Sequence, residues 1–243
     1  MTAWSEFSSV CEQLRLQSPY VFGSSALVYL LHDLPPAHDL DLQAEGGAGA
    51  ERDLEEAIEG SDAMRAISGP RDYWIFHHVH VRMYEVEYQG RFLDINLMDT
   101  KVRPGHFSLE TVRLDIDGHK IEDPHNARDW NLGDPIEMIS GAESDNPFRL
   151  MSRVLKLSVK YDSPIIGGRG LGLAMGEIAV RARAWEPSEG FHGREARESF
   201  ERVAMNSLSA PQSSRLRQEF SDLGLIDCVR PEMQPAIASV LGR

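Results

Sequence analysis

Asp39 and Asp41 stand in "HDLDLQ", alternating with Leu40 and Leu42. Alternation with a period of two marks a strand with one apolar and one polar face, so both carboxylates project from the same side. Neighbouring carboxylates repel, and the repulsion is relieved when they share a hard divalent cation that takes oxygen ligands, Mg²⁺ or Mn²⁺. A half-exposed strand with a polar outer face would show the same pattern. Upstream, Gly23, Ser24 and Ser25 in "VFGSSALVYLLHD" lie between a short apolar strand and a helix. A helix N-terminus offers N–H groups without intrahelical acceptors and the positive end of the dipole, which suits a phosphate. Glycine lets the backbone come close, and a serine hydroxyl adds a donor. A plain serine N-cap is the alternative reading of the same three residues.

The elements that must position these groups follow from pattern. Residues 1–17 have apolar positions at helical spacing, "PYVFGSS" reads as a strand ending in a turn, and "SALVYLLHD" reads as a helix stopped by Pro35-Pro36. "AHDLDLQA" is a strand by strict alternation, "EGGAGA" a loop, and "ERDLEEAIEGSDAMRAIS" an acidic amphipathic helix. From Tyr73 the pattern turns to β: "WIFHHVHVRMYEVEYQ" and "RFLDINLMD" flank Gly90 as a hairpin. "TVRLDIDGHKIED" reads as another hairpin, in which Asp115 and Asp117, followed by Gly118, belong to the turn rather than to a site. Strands cease after Pro124, and helical periodicity takes over.

The run "VFGSSALVYLLHDLPPAHDLDLQ" resembles the signature of the nucleotidyltransferase superfamily, which includes DNA polymerase beta and the CCA-adding enzymes. That signature is an apolar strand, Gly-Gly or Gly-Ser, a helix, then a strand bearing Asp-x-Asp. The resemblance implies that Gly23 and Ser24 contact phosphate and that Asp39 and Asp41 bind metal. It further implies a third carboxylate on a neighbouring strand. Asp94 in "GRFLDINLMD" suits that place, because Leu93, Ile95 and Leu97 share one parity while Asp94 and Asn96 take the other. The implied fold is α/β (α+β): a nucleotidyltransferase-type mixed sheet with flanking helices, followed by a helical C-terminal region. The expected division is residues 1–130 for the catalytic domain and 131–243 for the helical domain. The implied reaction is two-metal transfer of NMP from an NTP, ATP by default, to a hydroxyl, with Asp94 helping to deprotonate the acceptor and pyrophosphate leaving.

A second echo lies in "DNPFRLMSRVLKLSVKYD", similar to the helix that follows the catalytic head of CCA-adding enzymes and bacterial poly(A) polymerases. Arg149, Arg153 and Lys156 on that helix are expected to reach the triphosphate; a solvated basic face is the alternative. The compact nucleotidyltransferases of bacterial toxin systems share the same short signature. "FHHVHV" sets His78 and His80 on one strand face near Glu85 and Glu87, which keeps a His-based metalloenzyme open as a rival. "GGRGLGLAMGE" lacks the Lys-Ser/Thr ending of a P-loop and reads as a connector between helices.

The chain carries 38 acidic against 25 basic residues, a net charge of −13. Binding to extended nucleic acid draws on cations that neutralise phosphates, so tRNA is disfavoured as acceptor and a small molecule or protein is expected. An RNA 3′ end is the runner-up, and a catalytically inactive nucleotide-binding module is the non-enzymatic alternative. No window is apolar enough to span a membrane, and the polar N-terminus is no signal peptide. Cys11 and Cys228 form no metal or redox spacing, and a cytoplasmic location is expected.

Overall fold

The computed structural model describes residues 3–31, 34, 37, 39–75, 79–99, 105–139, 146–163, 168–184 and 191–242. The chain divides into two compact units, Met1–Asp129 and Trp130–Arg243. The first unit contains α1 (Ala3–Gln13), β1 (Tyr20–Val21), α2 (Gly23–Leu30), β2 (Asp39–Glu45), α3 (Ala48–Glu59), β3 (Met64–Ile75), β4 (Val79–Tyr88) and β5 (Arg91–Met98). Two short strands complete it, β6 (Arg113–Asp115) and β7 (Lys120–Glu122). All seven strands join one sheet in the order β3-β4-β5-β2-β1-β6-β7. The β2–β5 pair is parallel and the other pairs are antiparallel, so the sheet is mixed.

The register of β2 and β5 is fixed by burial. Leu40 and Leu42 on β2, and Leu93 and Ile95 on β5, are buried on one face, while Asp39, Asp41 and Asp94 are half-buried on the other. Full burial of each such aliphatic side chain contributes about 1.5–3 kcal/mol. A slip of one residue would turn the leucines to water and the carboxylates into the core. The hairpin between β4 and β5 closes through Gln89 and Gly90, both at positive φ (51° and 80°), with Tyr88 paired to Arg91. Positive φ at both central residues suits the right-handed twist of the strands they join.

Several boundaries differ from the sequence expectation. The acidic helix stops at Glu59, and "MRAIS" belongs to the edge strand β3, which carries two bulges along its pairing with β4. Gly60 breaks the helix, and the pairing of Met64 to Tyr88 and Ala66 to Val86 outweighs the local helical pattern. "WIFHHVHV" is therefore not one strand, since Trp74 and Ile75 pair back onto His80 and Val79 across a reversal. Helix α2 ends at Leu30, because Leu31 adopts an extended conformation; Pro35 and Pro36 lie outside the described residues.

The second unit holds α4 (Pro147–Tyr161), α5 (Gly168–Arg183), α6 (Phe191–Ser209), α7 (Ser214–Asp222) and α8 (Gln234–Val240). Asn146 caps α4: its side-chain oxygen accepts from Phe148 N–H at 3.0 Å and Arg149 N–H at 3.3 Å, with Pro147 starting the helix. Phe148, Phe200 and Phe220 form the centre of this unit, with ring centroids 6.0 and 6.4 Å apart along the series. From Gly168 on, the glycine-rich run lies inside α5 rather than between helices; Gly167 lies outside the described residues. Interior glycines oppose helix formation, yet Ile178, Ala179 and Ala182 bury one side of α5, and packing overrides propensity. No helix among the described residues is long and apolar enough to cross a membrane.

Candidate active site

Three carboxylates meet on the polar face of the sheet. Parallel pairing sets Asp41 beside Asp94, with Asp39 one pleat away beside Phe92. One carboxylate oxygen from each of Asp39, Asp41 and Asp94 lies within 4.8 Å of the others. Among the described residues no other group of three or more His, Cys, Asp or Glu is so placed. Half-burial leaves the cluster open to a ligand while limiting its hydration. Burial first, then the carboxylates of Asp39 and Glu85, hold the Asp94 carboxyl above its ordinary pKa against the opposing pull of Arg71. Such a cluster is unfavourable alone and is suited to a cation.

The turn before α2 is fastened to this strand at both aspartates. Phe22 N–H donates to the Asp41 carbonyl at 3.1 Å, and the Ser25 hydroxyl donates to the Asp39 carbonyl at 2.7 Å. Ser25 is only 4% exposed, and its hydroxyl serves the strand. Gly23 has φ +63°, and a Cβ there would stand 2.4 Å from Asp41 Oδ2. Glycine is thus required twice, by its conformation and by the carboxylate against it. Ser24, half-buried, follows it in the first turn of α2.

Asn96 is also on the polar face of β5, but it is 2% exposed and its amide donates to the Leu42 and Asp94 carbonyls at 3.4 and 3.5 Å. It ties β2 to β5 beneath the carboxylates. Glu85 on β4 was not legible as a neighbour of the site. It pairs with Asp94 in register, accepts from Ser68 Oγ at 2.6 Å, and bonds the Arg71 guanidinium at 3.0 Å. Its place depends on strand order and on the β3 bulges, which no single-strand pattern reveals.

Arg149, Arg153 and Lys156 lie four and three residues apart along α4 in the second unit. Arg149 and Lys156 are exposed and Arg153 is half-buried. Desolvation, with Arg153 and Arg202 beside it, lowers the pKa of the Lys156 ammonium. His78 lies outside the described residues. His80 stands an odd number of residues from Glu85 and Glu87, hence on the opposite face of β4, and its Nε2 is 2.9 Å from Asp72 Oδ1. Asp115 accepts from Gly118 N–H at 2.8 Å and so supports its own turn. Cys11 and Cys228 are buried, and burial pushes their thiols up to about 12 and about 11, which removes both as nucleophiles.

No protein-family model matches the chain, and no curated protein matches it. Solved structures do share its fold. The Thermotoga maritima CCA-adding enzyme complexed with tRNA aligns with a TM-score of 0.61 at 13% identity, covering 96% of this chain and 54% of that one. A tRNA-processing enzyme in an apo form gives 0.58 at 12% identity, covering 93% and 57%. A CCA-adding enzyme in a second apo form gives 0.57 at 13% identity, covering 96% and 56%. The chain thus spans about half the length of each of these structures. At this identity the likeness is one of fold: a nucleotidyltransferase-type mixed sheet with flanking helices and a helical C-terminal region. A shared fold does not by itself assign an activity, which has to be argued from the site.

Proposed function

We propose that the chain is a nucleotidyltransferase that uses a divalent cation to move NMP from an NTP, ATP by default, onto the hydroxyl of a small-molecule or protein acceptor. The observation that carries this reading is the meeting of Asp39, Asp41 and Asp94 beside Gly23 at the start of α2. The donor set is carboxylate oxygen throughout, which fits Mg²⁺ or Mn²⁺ held by these three residues. Such an ion, when bound, neutralises triphosphate charge and polarises the reacting oxygens.

The chain's own residues supply the rest. Backbone N–H groups at Gly23 and Ser24 bind phosphate oxygens at the positive end of α2, and Ser25 holds β2 in place for them. Asp94 accepts the acceptor's proton as its oxygen bonds the α-phosphorus and the bond to the departing pyrophosphate breaks. Arg149, Arg153 and Lys156 on α4 are proposed as further cations for the triphosphate, a role that rests on their charge and helical spacing alone. In this reading residues 1–130 form the catalytic domain and residues 131–243 an accessory helical domain. The net charge of −13 argues for a small or protein acceptor over tRNA.

Calorimetry of ATP binding with and without Mg²⁺ tests the reading. Mg²⁺ should tighten ATP binding to the wild type, and Asp41→Ala should abolish the gain. Equal binding by both proteins would remove the carboxylate site from the reading.

A further inference from the structure

Phe92 is 54% exposed. It lies on β5 two residues before Asp94, and Leu93 between them is buried, so the ring stands on the carboxylate face. Its register partners are Asp39 on β2 and Glu87 on β4. The other strand positions around it carry charge: Glu87 is bonded by Arg65, and Glu85 by Arg71 and Ser68. An apolar ring left in water among carboxylates adds little to the fold. It does offer a flat apolar surface beside the reacting groups.

The sheet order says which substrate that surface meets. β1, which leads into α2, flanks β2 on one side, and β5 flanks it on the other. The phosphate end at Gly23 and the Phe92 ring therefore sit on opposite flanks of Asp39 and Asp41. Phe92 shares its strand with Asp94, the residue assigned to the acceptor's proton. We infer that Phe92 is the acceptor platform: it stacks a planar ring carried by an uncharged, hydroxyl-bearing acceptor and so selects the acceptor. The net charge of −13 disfavours a polyanionic acceptor. This inference rests on the transferase reading above.

The test uses the full chain loaded with Mg²⁺ and α,β-methylene ATP, and three uncharged probes: adenosine, 2-phenylethanol and glycerol. The first two carry a ring and separate a nucleobase from a plain aryl group; glycerol has hydroxyls and no ring. Stacking on one aromatic side chain corresponds to a loss of about tenfold in affinity or more on truncation. At least one ring probe should bind the wild type, weaken about tenfold or more in Phe92→Ala, and be retained in Phe92→Trp. Glycerol and the ATP analogue should be unaffected by either substitution. Ring probes that ignore Phe92→Ala, or that fail to bind the wild type, overturn the inference, as does weakening of the ATP analogue in Phe92→Ala. Failure of the ATP analogue to bind the wild type with Mg²⁺ would instead overturn the transferase reading itself.

Discussion

Gly23→Ala perturbs the site at the contact that couples the α2 turn to the carboxylates. The residue has φ +63°, and the added Cβ would meet Asp41 Oδ2 at 2.4 Å, where ordinary contact begins at 3.4 Å. Two costs follow. Left-handed backbone in a residue with a Cβ costs about 1–2 kcal/mol, which urea unfolding would read as lost stability. In addition, Oδ2 must retreat by about 1 Å, and a misplacement of that size lowers turnover by about a hundredfold. Gly90→Ala is the matched control: Gly90 has φ +80° in the β4–β5 turn, and its added Cβ meets nothing within 4 Å. Both variants should lose stability, and only Gly23→Ala should lose Mg²⁺-dependent NTP binding and turnover. If Gly23→Ala kept both within about threefold of wild type while folded, by the same scale, the close packing of this turn on Asp41 would be irrelevant to the site.

Ser25→Ala removes the hydroxyl that donates to the Asp39 carbonyl at 2.7 Å. Losing that part-buried bond should lower stability by about 0.5–1.5 kcal/mol, read from urea midpoints; an unchanged midpoint would show that the bond is dispensable. For Asp94, the folded carboxyl is held above its ordinary pKa, so the folded chain binds more protons than the unfolded chain between the two values. Stability of the metal-free protein from this group is therefore greatest below the unfolded value and falls as pH rises through the folded one. Asp94→Asn removes the charge, so in chelator the variant should be more stable than wild type at neutral pH and no more stable below the ordinary carboxylate range. A destabilised variant at neutral pH would contradict the crowding of Asp94 by Asp39 and Glu85.

The strands that bear chemistry were legible because alternation writes both faces into the sequence. Leu40 and Leu42 against Asp39 and Asp41, and Leu93 and Ile95 against Asp94, announce which side meets the core. What alternation leaves open is which strands are neighbours. Glu85 beside Asp94 depends on β4 pairing with β5, and the bond from Ser68 depends on bulges in β3. The stretch "MRAIS" could not be separated from the acidic helix before it, because its strand conformation comes from pairing with β4 rather than from its own propensity. His80 looked like a companion of Glu85, yet an odd spacing sends the two to opposite faces. Glycines in "GGRGLGLAMGE" suggested a connector, where the buried side of α5 holds a helix. Ser25 suggested a phosphate donor; its hydroxyl instead fixes the Asp39 strand.

Transfer itself is the measurement that bears most directly on the reading. The wild-type chain, Mg²⁺ and each α-phosphate-labelled NTP are incubated with neutral ring-bearing acceptors, candidate proteins and tRNA, and labelled acceptor and pyrophosphate are counted together. The expected result is equal amounts of labelled acceptor and pyrophosphate with a small-molecule or protein acceptor, loss of both in chelator, and loss of both in Asp41→Asn. Transfer that persists in Asp41→Asn, or NTP bound tightly with no label moved to any acceptor and no pyrophosphate released, would contradict catalysis by the Asp39–Asp41–Asp94 cluster.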